Sequence, residues 1–214
     1  MNLLLTSDGL THEDIKKCFM EEINNLDTIK IAVLYTMKNP GDEKWLKYRE
    51  DELNEFNIKY DFINISEDKN FSIDLLNYGV IYVCGGNTYY ILDRLRKTGI
   101  KNFIKKSTKK NILYVGLSAG SMVMAPDIEI SGIGPNGDQN DINLQDMTGF
   151  KLIPFSIHPH YEDADKIFIE KFFNQTKKPV VTLNNNQAIF FKNGKFQLLG
   201  KPGILEFGIN INKI

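Results

Sequence analysis

A serine between two glycines is the strongest chemical signal in this sequence. The segment Gly116-Leu117-Ser118-Ala119-Gly120 follows an apolar run and precedes residues compatible with a helix. A strand that enters Gly-x-Ser-x-Gly and leaves as a helix is the context of a nucleophile elbow. The glycines permit a tight turn, and the N-terminus of the helix favours developing negative charge. The pattern predicts acyl-transfer chemistry with Ser118 as nucleophile and the Ala119 N–H as oxyanion donor, and a turn without chemistry is the alternative.

A serine nucleophile needs a base, and the chain has three histidines. His12 lies early on the polar face of a predicted helix and is expected to be inert. His158 and His160 flank Pro159 at the C-terminal end of a predicted strand, the edge that holds ligands in open α/β sheets. We expect one of these two to take the serine proton. Surface histidines in a turn are the alternative, and a His–Pro–His metal site lacks a clear third ligand, so we expect no metal.

A second glycine pair follows another buried strand, in the segment Cys84-Gly85-Gly86-Asn87-Thr88. The two glycines allow close backbone approach and offer N–H groups. Asn87 or Thr88 is also a suitable N-cap for the next helix, and the two interpretations are compatible. Cys84 itself is expected to pack in the core rather than act as a nucleophile.

The elements that position these residues alternate along the chain. Strands are predicted at 3–6, 29–35, 59–65, 80–83, 112–117, 151–157, 180–183, 187–191 and 196–199. Helices are predicted at 11–26, 42–56, 73–77, 89–96 and 163–173, with a turn at 40–41, a basic segment at 101–110 and a long loop at 131–149. The alternation predicts an α/β fold with a mostly parallel sheet and helices on both faces. An Asn193-Gly194 hairpin between the last two strands predicts an antiparallel edge.

Two local features of the predicted helices carry further expectations. Thr11, with Asp14 three residues later, is expected to open the first helix as a weak capping box. The second helix carries a run of charged residues that is expected to form a plain solvated face. That run consists of Lys47, Arg49, Glu50, Asp51 and Glu52.

Composition excludes several classes of protein. The 214 residues carry 26 Lys and Arg against 27 Asp and Glu, so no basic excess points to nucleic acid or an anionic membrane. Two cysteines are too few for a disulfide framework or a cysteine-based zinc site. The N-terminus has no signal-peptide pattern, and no stretch approaches the roughly 20 apolar residues of a membrane span. We therefore expect one cytoplasmic domain over 1–214 that needs no cofactor, since phosphate and dinucleotide loops are absent from the sequence.

The sequence resembles the peptidase E family, serine peptidase family S51, which also contains the cyanophycinases. Three motifs carry the resemblance: Gly85-Gly86-Asn87-Thr88, Gly116-Leu117-Ser118-Ala119-Gly120 and Pro159-His160-Tyr161. The resemblance implies a class I glutamine amidotransferase-like fold, which is a three-layer, flavodoxin-like α/β sandwich. It also implies a serine peptidase of short peptides, either a dipeptidase or an N-terminal exopeptidase. Ser118 would be the nucleophile, His160 the base, and the N–H groups of Gly86 and Ala119 the oxyanion hole.

The third catalytic position departs from the family pattern. The family usually places a carboxylate shortly after the next strand, but the stretch 182–187 contains no acid, and Asn185 is the nearest equivalent. An asparagine can hold the histidine tautomer, as in Cys-His-Asn enzymes, but it supplies no negative charge. The enzyme could then be slow, could recruit Asp163 or Asp165, or could have become a binding protein for a peptide or metabolite. A polar turn at 184–186 is the structural alternative.

The substrate is the most open expectation. The family member that gives the family its name removes an N-terminal Asp from short peptides. The loop at 131–149 contains Asp138, Asp141 and Asp146 but no Lys or Arg, so it could bind an α-amino group and argues against a pocket for an Asp side chain. An α/β-hydrolase esterase is a further alternative, although about 40 residues between Ser118 and His160 leave little room for its acid. A homodimer is an open expectation.

Overall fold

A seven-stranded sheet forms the centre of the fold. The structure is a computed structural model, which describes residues 1–37, 42–66, 74–106 and 111–213. In these residues the strands are β1 (Asn2–Thr6), β2 (Lys30–Tyr35), β3 (Lys59–Asn64), β4 (Val80–Val83), β5 (Leu113–Leu117), β6 (Ser156–His158), β7 (Val180–Thr182), β8 (Gln187–Lys192), β9 (Lys195–Gly200) and β10 (Glu206–Phe207). The order in the large sheet is β3-β2-β4-β5-β1-β8-β9.

The large sheet is mostly parallel, as predicted. β3, β2, β4, β5 and β1 are parallel neighbours, whereas β8 pairs antiparallel with β1 and with β9. Asn193 and Gly194 connect β8 and β9 with φ angles of 52° and 78°. Positive φ at both central residues is the requirement of a type I′ hairpin turn, which the Asn-Gly pair satisfies.

Helices cover both faces of the large sheet and complete a three-layer sandwich. They are α1 (Glu13–Ile23), α2 (Asp42–Asn54), α3 (Thr88–Lys97), α4 (Ile100–Lys106), α5 (Ala119–Met122) and α6 (Lys166–Thr176). Phe19 of α1 and Leu53 of α2 pack on the face that contains Tyr82 of β4. Leu95 of α3 and Ile104 of α4 pack on the opposite face. Because both faces are buried, the central strands are continuous apolar runs, and the predicted α/β class is confirmed.

A separate three-stranded sheet, in the order β10-β7-β6, was not predicted. The expected strand at 151–157 is wrong for most of its length, because only Ser156 and Ile157 of that range belong to β6. Upstream, the N–H groups of Lys151 and Leu152 bond to the carbonyls of residues 125 and 124, and Pro154 offers no N–H. The apolar residues Ile153 and Phe155 are buried there without forming a strand.

Several helices begin at other residues than predicted. His12, not Thr11, is the N-cap of α1, and its Nδ1 accepts a hydrogen bond from the Asp14 N–H at 3.3 Å. A 3-10 turn at Asp163–Asp165 precedes α6, and Glu162 and Asp165 form a capping box across it. The predicted helix at 73–77 is a 3-10 turn at Leu75–Asn77. The predicted turn at 40–41, residue 73 and the end of the basic segment at 107–110 lie outside the described residues.

The charged run of α2 is not a plain solvated face. Arg49 and Glu52 are buried, and Arg49 Nη1 lies 2.9 Å from Glu52 Oε2. Glu52 also accepts hydrogen bonds from the Leu10 N–H and, at 3.3 Å, from the Tyr82 hydroxyl. One side of α2 therefore anchors the loop after β1, which charge counting alone does not reveal. No helix in the described part of the chain is long and apolar enough to cross a membrane.

Candidate active site

Ser118 lies at a strained turn where β5 ends and α5 begins. Its φ of 50° and ψ of −110° are unusual for a residue with a side chain. The flanking glycines are required for space: a Cβ at Gly116 would lie 2.7 Å from the Gly120 carbonyl, and a Cβ at Gly120 would lie 2.2 Å from Val83 O. The Ser118 carbonyl accepts hydrogen bonds from the N–H groups of residues 121 and 122. This close packing leaves the side chain of Ser118 half-buried at the carboxyl edge of the sheet.

His160 connects Ser118 to Asn185. It follows Pro159 at the end of β6 with a positive φ of 54°. Its Nε2 lies 2.9 Å from Ser118 Oγ, and its Nδ1 lies 2.6 Å from Asn185 Oδ1. When the amide oxygen accepts the Nδ1 proton, Nε2 is free to accept the proton of the serine hydroxyl. The side chains predicted for the three catalytic positions are thus brought together in hydrogen-bonding order.

Asn185, the third predicted catalytic residue, lies in a polar turn. Asn184 Oδ1 accepts a hydrogen bond from the Asn186 N–H at 3.0 Å, and Gln187 Oε1 accepts one from the Asn184 N–H at 2.9 Å. These bonds shape the turn that presents Asn185 to His160. The polar turn and the contact with the imidazole therefore coexist in one segment.

Ser7, which the sequence analysis did not identify, connects the loops that carry His160 and Asn185. It is fully buried just after β1. Its Oγ accepts a hydrogen bond from the His160 N–H at 2.7 Å and donates one to Leu183 O at 3.2 Å. Its own N–H donates to Gln187 O at 3.1 Å. The only signal in the sequence is a serine at the C-terminal end of a strand, where α/β sheets place their sites.

The loop after β4 lies beside the serine turn. A Cβ at Gly85 would lie 3.3 Å from Ser118 Cβ, and Gly86 has a φ of 130° that favours glycine. Asn87 is the N-cap of α3, since its Oδ1 accepts a hydrogen bond from the Tyr90 N–H at 3.0 Å. Cys84 is buried, and desolvation raises the pKa of its thiol, which opposes a nucleophilic role. Gly86 and Ala119 remain the predicted oxyanion donors.

The nearby acids contact groups other than the His160 ring. Asp165 Oδ2 lies 3.4 Å from His158 Nε2, and Asp163 lies 3.5 Å from the Tyr161 hydroxyl. Burial lowers the pKa of His158, and the neighbouring Asp165 opposes this shift only in part. Burial therefore favours the neutral form of His158. Among the described residues, no group of three or more His, Cys, Asp or Glu could hold a metal ion.

Ser118 and His160 line a cavity of about 240 Å³. Gly86 reaches it from the loop after β4, and Asp138 and Glu162 add carboxylates. Only the first part of the loop at 131–149 reaches this cavity. Asp146 further along that loop forms an ion pair with Arg96 at 3.2 Å instead. The cavity can admit a small substrate to the serine hydroxyl.

Comparisons with known proteins identify a family whose sequence model matches most of the chain. The sequence model of Peptidase family S51 matches residues 3–199. An uncharacterised peptidase of Pasteurella multocida is 30% identical over 191 residues, which cover 84% of this chain and 89% of that protein. A Peptidase E of a Nostoc species is 28% identical over 152 residues, covering 71% of this chain and 58% of that protein.

Solved structures share the fold. A crystal structure described as a Peptidase E protein from Listeria monocytogenes superposes with a TM-score of 0.76 at 23% identity, covering 94% of this chain and 98% of that one. A peptidase from an acI-B1 Actinobacterium superposes with a TM-score of 0.70 at 16% identity, covering 97% and 91%. These neighbours support the class I glutamine amidotransferase-like fold. The family match gives no support to the α/β-hydrolase esterase alternative. The chain belongs to peptidase family S51, a family of serine-type peptidases.

Proposed function

We propose that the protein hydrolyses short peptides, as a dipeptidase or an N-terminal exopeptidase, through an acyl-enzyme on Ser118. His160 takes the hydroxyl proton as Ser118 attacks the scissile carbonyl carbon, and it then gives that proton to the leaving amine. Water attacks the resulting ester, again with His160 as base, and releases the acid product together with the free serine. Asn185 holds the imidazole in the tautomer that this sequence of steps requires.

The observation that carries the proposal is the pair of contacts made by the His160 ring. Distances of 2.9 Å to Ser118 Oγ and 2.6 Å to Asn185 Oδ1 are those of hydrogen bonds. A base in contact with the nucleophile and oriented by a third group is the arrangement of an activated serine. A surface serine in an ordinary turn has no need of such partners.

Two backbone N–H groups are suited to hold the oxyanion. Ala119 follows the nucleophile directly, and Gly86 lines the cavity that contains Ser118 from the neighbouring loop. Two such donors can stabilise the tetrahedral intermediate, and loss of one donor typically costs about 100- to 1,000-fold in rate. A Cβ at Gly86 would meet only Thr36 Oγ1 at 3.7 Å, so the glycine is required by its φ of 130° rather than by lack of space.

The size of the cavity favours a small substrate. Its volume of about 240 Å³ lies below the roughly 300–1,000 Å³ of pockets that hold drug-sized ligands. A dipeptide, or the N-terminal residues of a short peptide, suits this volume better than a folded protein does.

A binding protein without turnover is the second candidate, and Asn185 is the observation that favours it. An amide supplies no charge to stabilise the imidazolium, and loss of a triad carboxylate can cost about 10,000-fold in kcat. A chain with this site could retain peptide affinity while its activity falls below detection.

One experiment separates the two candidates. Purified wild type and Ser118→Ala are incubated with Asp-X, Glu-X, Gly-X and apolar-X dipeptides and tripeptides, and released amino acids are quantified. The peptidase proposal expects cleavage of part of the panel by wild type and its loss in Ser118→Ala. Binding of a peptide without release by either protein, measured by calorimetry, would support the second candidate instead.

A further inference from the structure

We infer that the buried hydroxyls of Tyr114 and Ser121 position the nucleophile, because they hold the strained backbone turn at Ser118 in the conformation that hydrolysis requires. The inference rests on the proposed peptidase function and adds two residues that act through this turn rather than by contact with the substrate. Neither side chain belongs to the described lining of the cavity that contains Ser118.

The turn at Ser118 needs support from its surroundings. A φ of 50° with a ψ of −110° is sparsely populated by residues that have a side chain. Such a conformation persists only where the surrounding structure over-determines it. The helix α5 that follows is a single turn and adds few hydrogen bonds of its own. Contacts from neighbouring residues must therefore help to maintain the turn.

The first of these contacts comes from Tyr114, which lies on β5 four residues before the nucleophile. Its side chain is fully buried, and its hydroxyl donates a hydrogen bond to the Gly120 carbonyl at 2.7 Å. In a regular α-helix this carbonyl would accept from the N–H of residue 124, but that N–H bonds to Ser121 O at 3.2 Å. The phenol hydroxyl therefore takes the place of the helical donor.

The position of Tyr114 explains why a hydroxyl, and not only a ring, is required. Tyr114 and Gly116 are two residues apart on β5 and so share one face of the sheet. A Cβ at Gly116 would lie 2.7 Å from the Gly120 carbonyl, so α5 lies directly against this face. Burial raises the pKa of Tyr114 well above its usual range, and the hydroxyl keeps its proton. Because a phenylalanine ring would fill the same apolar space, the hydroxyl serves the contact with Gly120 rather than packing.

The second contact comes from Ser121, three residues after the nucleophile. Its side chain is fully buried, and its Oγ lies 2.8 Å from Gly116 O and 2.8 Å from Thr6 O. Thr6 O also accepts the Ser118 N–H at 3.0 Å, and the Ser121 N–H donates to Ser118 O at 2.8 Å. Ser121 thus connects the residues before and after the turn to the end of the neighbouring strand β1.

Movement of this turn would displace the groups that carry out the chemistry. Ser118 Oγ lies 2.9 Å from His160 Nε2, and the N–H of Ala119, the predicted oxyanion donor, follows directly in the chain. A displacement of about 1 Å in a catalytic site can cost about 100-fold in rate. Loss of either hydroxyl is therefore expected to lower kcat more than it changes KM.

The first test removes the Tyr114 hydroxyl and keeps its ring. On the best dipeptide of the panel, Tyr114→Phe is expected to lose about tenfold in kcat, with KM within about twofold. Tyr82→Phe is the matched control, because Tyr82 is equally buried on the neighbouring strand β4, but on the opposite face. Its hydroxyl bonds to Glu52 at 3.3 Å, so this variant is expected to keep kcat within about twofold.

The second test removes the other hydroxyl independently. Ser121→Ala is expected to lose about fivefold in kcat, again with KM within about twofold. The loss is smaller than for Tyr114→Phe because Thr6 Oγ1 still donates to Gly116 O at 2.9 Å. Circular dichroism and urea unfolding verify that each variant is folded under the assay conditions, so that a change in kcat reports on the site rather than on the folded fraction.

The outcomes separate failure of the inference from failure of the proposed function. A variant that is folded and keeps the kcat of wild type overturns the role given to its hydroxyl, even if its stability falls. An equal loss of kcat in Tyr82→Phe also overturns the role of Tyr114, because any buried hydroxyl would then have the same effect. Absence of hydrolysis by wild type on every peptide overturns the proposed function and the inference together.

Discussion

Asn185 can orient the imidazole of His160, but it has no negative charge to stabilise the imidazolium. The 2.6 Å contact with Nδ1 provides orientation, which is one of the two tasks of a triad carboxylate. The other task, stabilising the imidazolium in the transition state, needs a negative charge. Asp163 and Asp165 are close in sequence, but they contact Tyr161 and His158. We therefore expect the chemistry at this site to be limited by charge rather than by geometry.

A charge restored at this position is expected to raise activity. Asn185→Asp should increase kcat at least about tenfold, and Asn185→Ala should decrease it about 10- to 100-fold because the tautomer is no longer held. The values of kcat for the three proteins on one dipeptide check this. Identical kcat values for all three would show that Asn185 does not contact the working base.

At the scale of single residues, the sequence motifs identified the candidate catalytic residues, but the sequence did not reveal their long-range contacts. The glycine spacing around Ser118 and the Pro-His pair indicated the residues that the structure brings together. Ser7 could not be predicted, because its contact with His160 joins residues 153 positions apart and depends on how two sheets meet. Its position at the end of a strand does not distinguish it from other serines at strand ends.

At the scale of elements, β1, β6 and β7 meet through one buried hydroxyl. Ser7 follows β1, its acceptor Leu183 follows β7, and its donor His160 follows β6. The positive φ of His160 makes its loop conformation costly unless surrounding bonds maintain it. We propose that Ser7 is a positioning residue that acts through the His160 backbone.

Removal of this hydroxyl is expected to lower kcat more than it changes KM. Ser7→Ala leaves the His160 N–H without its acceptor, so the imidazole should be less well aligned, and we expect about a tenfold loss in kcat with KM within about twofold. Thr182→Val is the matched control, because it removes a buried hydroxyl of β7 that bonds to Leu205. If both variants lose equal stability and equal kcat, the effect of Ser7 is only structural.

Elements were predicted best where burial and secondary structure coincide. The strand at Val80–Val83 has the predicted bounds because a strand buried on both faces is a short apolar run. The range 151–157 failed for the opposite reason: its apolar residues are buried in an irregular segment whose N–H groups bond to residues 124 and 125. An apolar run in the sequence indicates that its residues are buried. It corresponds to a strand only where the backbone forms hydrogen bonds with a neighbouring strand.

For the whole molecule, a buried ion pair connects α2 to the loop that carries Ser7. Arg49 is 1% exposed and is paired with Glu52, which in turn accepts from the Leu10 N–H. Gly9 lies so close that a Cβ there would be 2.2 Å from Arg49 Nη1. Neither the three-stranded sheet nor this buried ion pair was predicted. Both depend on long-range packing, and neither alters the local pattern of charge or hydrophobicity.

Breaking the buried pair is expected to destabilise the fold. Arg49→Ala leaves the Glu52 carboxylate buried without its cation, which typically costs about 3–5 kcal/mol in the free energy of unfolding. Lys47→Ala in the same helix is the control: Lys47 is 64% exposed and pairs with Glu50 and Asp51, so its loss should cost at most about 1 kcal/mol. Urea unfolding of both variants measures the difference. Equal effects of the two substitutions would contradict the structural role given to Arg49.

A double-mutant cycle on Ser118 and His160 tests the central claim most directly. The values of kcat for Ser118→Ala, His160→Gln and the double variant are measured on the best dipeptide of the panel. If the two side chains act as one catalytic unit, each single variant loses at least about 1,000-fold, and the double variant loses no more than the worse single variant. Activity retained in Ser118→Ala, or losses that multiply in the double variant, would contradict an acyl-enzyme formed on a serine activated by His160.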